Sequence, residues 1–167
     1  MKKLYLVIGA LVIFLAIGQY VIAASTGTVT TTVTVQNIQL TVADGAVAYG
    51  TLAVNTSTST YAIPDHQTVT NTGNVAEDFN IQGANATGST SWTLAAAAGA
   101  DQYSHRYCTS TCQTAGSYTA LTTSYSTLAT NIAALGTQIF DLSIYTPTST
   151  ADFTAHTANV VVQATAH

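Results

Sequence analysis

At 167 residues, with seven acids, three strong bases and 6% charged residues overall, the chain is too poor in Lys and Arg to neutralise a run of phosphates. Nucleic acid is therefore excluded as a partner, and so is a polybasic membrane contact. With so little charge of either sign, Thr, Ser, Ala, Asn and Gln must cover the surface, and such a surface packs closely against copies of itself.

Lys2 and Lys3 form a positive start, residues 4–17 are almost unbroken apolar sequence, and Val21-Ile22-Ala23 supplies compact residues before Ala24. This three-part pattern reads as a secretory signal peptide over residues 1–23, with cleavage after Ala23 or Ala24. An uncleaved anchor is one alternative, since about 20 apolar residues span a bilayer. A pilin-type helix is another, although a short charged leader and a Glu near the helix start are both missing. With the leader removed, Arg106 is the one strong base against seven acids, a net charge of −6. The mature chain, about 143 residues, suffices for one domain with a two-layer core.

Residues 28–35 read Thr-Val-Thr-Thr-Thr-Val-Thr-Val. In an extended strand Val29, Thr31, Val33 and Val35 share one face, and Thr28, Thr30, Thr32 and Thr34 the other. The stretch is β-branched throughout, with no charge, Gly or Pro to blunt it. Such a strand either tucks into its own sheet or is offered to a neighbour. We read residues 24–36 as a donor-strand segment and residues 37–167 as a β-sandwich domain.

No helical periodicity follows. Ile38, Leu40 and Val42 alternate with polar residues, and Ala43-Asp44-Gly45 turns the chain. Val47, Tyr49 and Val54 form a second expected run, with Gly50 marking a bend, and residues 55–60 a polar loop. Gln67-Thr68-Val69-Thr70 reads as a strand, Asn71-Thr72-Gly73-Asn74 as a turn, and Val75, Phe79 and Ile81 as the next strand. Glu77 and Asp78 read as surface carboxylates near that strand's start. Trp92 and Leu94 share a strand face, residues 95–98 have room for one helical turn before Gly99, and Tyr103, His105 and Tyr107 alternate. Residues 118–128 hold two short runs, Ile139, Phe140, Leu142 and Ile144 the strongest core strand, and Val160, Val161 and Val162 the last strand. Strands every 8–14 residues or so predict an all-β fold, an antiparallel β-sandwich or jelly roll.

Cys108 and Cys112 are the only cysteines. A lone pair in a secreted chain predicts a disulfide, here a local clamp on a turn or hairpin loop. A metal site would need more ligands, and only His105 is close in sequence.

The run from Gln67 to Val75, followed by Phe79 and Ile81, is a strand, an Asn-Thr-Gly-Asn turn and a strand. Tyr49-Gly50-Thr51-Leu52 precedes it, and Asp141-Leu142-Ser143-Ile144-Tyr145-Thr146-Pro147 and a closing strand follow. This order resembles the TasA/camelysin family of bacterial matrix-fibre proteins and, more loosely, archaeal bundling pili. The resemblance implies a sandwich that polymerises by donating an N-terminal strand to the next subunit. Camelysin members are described as metalloproteases, but His-Glu-x-x-His does not occur here and that activity does not carry over.

No catalytic, cofactor or metal residues are assigned. Histidines stand at 66, 105, 156 and 167, and no Gly-x-Ser-x-Gly elbow frames a nucleophile. Glu77 and Asp78 with Asp44 or Asp101 lack the Asp-x-Asp-x-Asp-Gly loop of a Ca²⁺ site. Asn55-Thr56-Ser57 and Asn85-Ala86-Thr87 are sequons, making Asn55 and Asn85 candidate glycosylation sites. Seven tyrosines beyond the leader and Trp92 offer either a sugar-stacking face or subunit contacts. The expectation is a secreted structural subunit, at the cell surface or in a matrix, that polymerises with copies of itself and meets the membrane only through its signal peptide. The alternative is a monomeric module that binds glycan or cell wall.

Overall fold

A computed structural model describes residues 25–167, so the predicted signal peptide lies outside the described residues. The chain divides into two units, Met1–Thr34 and Val35–His167. In the first, residues 25–34 carry no regular secondary structure, and Val29 and Val33 are 88% and 90% exposed.

The second unit is all-β, with ten strands and no α-helix among the described residues. The strands are β1 (Leu40–Ala43), β2 (Ser57–Ser59), β3 (Gln67–Asn71), β4 (Glu77–Gln82), β5 (Thr93–Leu94), β6 (Gln102–Cys108), β7 (Thr119–Ala120), β8 (Ser126–Ile132), β9 (Thr137–Tyr145) and β10 (Val161–Ala166). Seven form one sheet along the path β1-β3-β9-β6-β5, with β2 on β9 and β7 on β6. The other three form a second sheet in the order β10-β4-β8. All pairs are antiparallel except β5–β6, so the larger sheet is mixed rather than the purely antiparallel one expected.

Alternation sets which side chains turn inward. Val69 of β3 and Phe140 and Leu142 of β9 come from the larger sheet. Phe79 and Ile81 of β4 and Leu128 of β8 come from the smaller one, and these six with Leu121 make one buried cluster. Burying each such side chain contributes about 1.5–3 kcal/mol. Ile139, placed in the core by sequence, has the opposite parity to Phe140 and Leu142 and is exposed.

The predicted turn after β3 is a polar staple. Asn71 is wholly buried, and its Nδ2 donates to the carbonyls of Val75 and Ile132 at 2.8 Å each. Its Oδ1 accepts from the Gly73 amide at 2.8 Å. One side chain thus ties the end of β3 to β8 across the two sheets. A Cβ at Gly73 would lie 2.3 Å from Glu77 Oε1 and 2.4 Å from the Asn37 carbonyl, so the turn admits only glycine there.

Three further expectations are corrected. The run at residues 47–54 is not a strand: residues 46–52 make no backbone hydrogen bonds, and Gly50 bends the chain at φ +72°. The strand instead falls within the supposed loop, where Thr60 N and β2 find partners on β9. Glu77 is not a surface carboxylate. It is fully buried, and its Oε1 accepts the Gln39 amide at 2.8 Å. Residues 95–98 form no helical turn.

Candidate functional site

The clamp around Glu77 fixes where the N-terminal segment leaves the domain. Asn74 Oδ1 accepts the Asn37 amide at 2.8 Å, and Asn74 Nδ2 donates to the Val35 carbonyl at 2.9 Å. The Gln39 carbonyl accepts the amides of Thr72 and Gly73. Backbone from Val35 to Gln39 is therefore held by the Asn-Thr-Gly-Asn turn, immediately after the row Val29, Thr31, Val33, Val35. Val35 itself is exposed.

A groove of about 1060 Å³ opens in the same unit, just above the range for small-ligand cavities, ~300–1,000 Å³. Its lining includes Tyr103 and His105 of β6 and Phe140, Leu142 and Ile144 of β9. Val42 of β1 lines it from the larger sheet, and Val160 and Val162, at and just before β10, from the smaller. Both β1 and β10 are sheet edges: β1 pairs with β3 alone and β10 with β4 alone among the described residues. Free backbone groups on such an edge are a template for another strand.

Two irregular segments border the groove. Residues 46–52 lack backbone hydrogen bonds; Val47 and Tyr49 pack against the core, and Tyr49 Oη lies 2.9 Å from His105 Nε2. The other is the stretch from Thr150 to Asn159, where Asp152 is the anchor. Its carboxylate accepts from Thr154 Oγ1 at 2.6 Å, from the Thr154 amide at 2.9 Å and from the Thr90 amide. These bonds hold the Asp152 carboxyl down at about 2. His156 stacks on Trp92 with ring centroids 3.6 Å apart, and Phe153 stands 81% exposed at the rim.

Asp152 puts an ionised carboxylate in the groove lining at neutral pH, whereas burial keeps His105, Tyr103 and Tyr49 neutral. Burial pushes His105 down to about 4 and Tyr103 up to about 12. Burial, reinforced by the Asp65 carboxylate, pushes the Tyr49 hydroxyl far above its ordinary value. His105 is 5% exposed, and its Nδ1 is a buried polar atom without a hydrogen-bond partner.

The remaining candidates are dispersed. Cys108 and Cys112 are joined in a disulfide with a Cα–Cα distance of 5.7 Å, at the base of the β6–β7 hairpin loop. Asn55 and Asn85 are both exposed, but Asn85 Oδ1 accepts the Leu94 amide at 2.9 Å. His66 Nδ1 meets Asp141 at 2.7 Å, and Asp141 also accepts from Thr60 Oγ1 at 2.7 Å. The carboxylate sits between histidine and hydroxyl, so no imidazole is aimed at a nucleophile there. No group of three metal-ligating side chains occurs among the described residues. Arg106 is engaged, its guanidinium 4.6 Å over the Tyr145 ring.

Sequence reasoning missed the groove and the burial of Glu77 and His105. His105 shared the parity of Tyr103, which was the available signal for its burial. None of the protein-family models, curated proteins or solved structures compared with the chain matches it.

Proposed function

We propose that the two sheets form a β-sandwich that is secreted and assembles into an extracellular filament by strand donation, with residues 28–35 of one copy docking in the groove of the next. The observation that carries this reading is the groove itself, which has Val42, Phe140, Leu142, Val160 and Val162 in its lining, holds no Lys or Arg, and is bordered by the unpaired edge of a sheet of only three strands. A strand added to β10 would complete that sheet by main-chain hydrogen bonds, with alternate side chains turned into the groove. Eight residues at ~3.3 Å each span ~26 Å, against ~20 Å for the six residues of β10. The arm has the matching chemistry: β-branched, uncharged, with valines on one face. The TasA/camelysin resemblance points the same way.

The alternative, a glycan- or cell-wall-binding module, has less support. One face of Trp92 is covered by His156. Tyr107 Oη is bonded to the Thr127 carbonyl, and Tyr145 lies under Arg106. No ring platform for sugar stacking assembles from these residues.

Negative-stain microscopy of the purified mature chain, beside a variant lacking residues 24–36, tests the proposal. Fibres from the first and dispersed folded particles from the second are expected. Dispersed particles from both, or fibres from both, refute strand donation.

A further inference from the structure

The docking face of the arm contains one polar side chain, and the groove lining contains one buried side-chain polar atom without a hydrogen-bond partner. In the row Val29, Thr31, Val33, Val35 it is Thr31. In the groove it is His105 Nδ1, the ring's Nε2 being taken by Tyr49. A polar atom left unpaired in a water-free site is costly, so a groove filled only by valines would leave His105 unsatisfied.

We infer that His105 Nδ1 is the register point of the groove and takes the Thr31 hydroxyl of the docking arm from a second copy of this chain. The inference rests on the strand-donation reading. A hydroxyl suits the site whichever tautomer is present. If Tyr49 Oη donates to Nε2, Nδ1 carries the proton and the Thr31 oxygen accepts it. If Nε2 donates to Tyr49, Nδ1 accepts from the Thr31 hydroxyl. Valine in place of Thr31 does neither. The contact also solves a problem of repetition. Val29, Val33 and Val35 are near-equivalent, and a shift of the arm by two residues keeps valine or threonine turned inward at most positions. Only one register brings Thr31 to His105. A single buried polar pair fixing register within an apolar seam has precedent in coiled coils.

The test uses the full mature chain and its critical concentration for fibre formation, read by sedimentation at neutral pH. Thr31→Val is expected to raise that concentration fivefold to tenfold, the size of one lost hydrogen bond with its partner left buried. Thr31→Ser, which keeps the hydroxyl, should stay within about twofold of wild type. In a His105→Phe background the Thr31→Val change should lose its effect, because no unpaired nitrogen remains. Should His105→Phe fail to fold, solid-state NMR of the imidazole nitrogens in wild-type and Thr31→Val fibres replaces it, and the Nδ1 signal should differ between them. Thr31→Val fibres that form at the wild-type concentration, additive effects in the double variant, or unchanged Nδ1 signals overturn the inference. Val33→Asp separates the two levels. If it blocks fibres while Thr31→Val is silent, the register contact alone is wrong. If Val33→Asp assembles normally, or if the wild-type chain forms no fibres, strand donation falls and the register contact falls with it.

Discussion

Val33→Asp separates assembly from folding. Val33 is 90% exposed in the described chain, so a carboxylate there should change domain stability by no more than about 0.5 kcal/mol. In a docked arm the same side chain is buried against the groove. The substitution then forfeits ~1.5–3 kcal/mol of apolar burial. It also brings a second carboxylate into a groove that Asp152 already lines, that holds no Lys or Arg, and where burial keeps His105 neutral. Leaving such a group unpaired costs at least a further ~1–3 kcal/mol. Together these amount to about 3–6 kcal/mol per subunit contact, or more than a hundredfold in the concentration needed to elongate a fibre. Thermal melting and circular dichroism should be those of wild type, while sedimentation and negative stain should show no fibres at concentrations where wild type is fully polymerised. Equal fibre yield from the variant would refute burial of this face. Loss of the fold along with the fibres would show that Val33 packs within its own subunit.

Three further expectations concern the domain. Asn71→Ala removes the staple between β3 and β8 and leaves two carbonyls and an amide without it; a loss of about 2–4 kcal/mol, roughly 10 °C in melting temperature, should be read by calorimetry. His105 is held neutral by burial, so its folded value of about 4 lies below the ordinary 6.5. The unfolded chain therefore takes up the proton first, and stability should fall as pH drops from about 6.5 to 4, by about 3 kcal/mol at most, with no contribution from this group above 7. His105→Gln should flatten that part of the profile in urea titrations, and an unchanged slope would contradict it. Reducing or replacing the Cys108–Cys112 bridge should cost no more than about 2 kcal/mol, because the closed loop is short, and fibre formation should survive.

The strands with clean alternation were legible in the sequence. Val69 in β3, Phe79 and Ile81 in β4, and Phe140 and Leu142 in β9 announce their inward faces, because a half-buried strand repeats every two residues. The Asn-Thr-Gly-Asn turn was legible as a turn, but not as a staple. That Asn71 reaches Ile132 depends on β8 arriving from 61 residues away in sequence. Residues 47–54 misled because their apolar spacing matches a strand while no neighbouring strand pairs with their backbone. Glu77 misled in the opposite sense. An acid with no base near it reads as solvated, yet here a backbone amide satisfies one oxygen. The groove was beyond the sequence altogether, since β6, β9, β1 and β10 contribute to it from four separate stretches of chain.

Strand donation requires residues 28–35 to pair with a different copy of the chain. Electron microscopy of fibres of the mature protein, at a resolution that traces the backbone, tests it directly. Each arm is expected as a fourth strand against β10 of the neighbouring subunit, with Val29, Val33 and Val35 in its groove. An arm paired within its own subunit, a groove left empty in the fibre, or a mature chain that never forms fibres would contradict it.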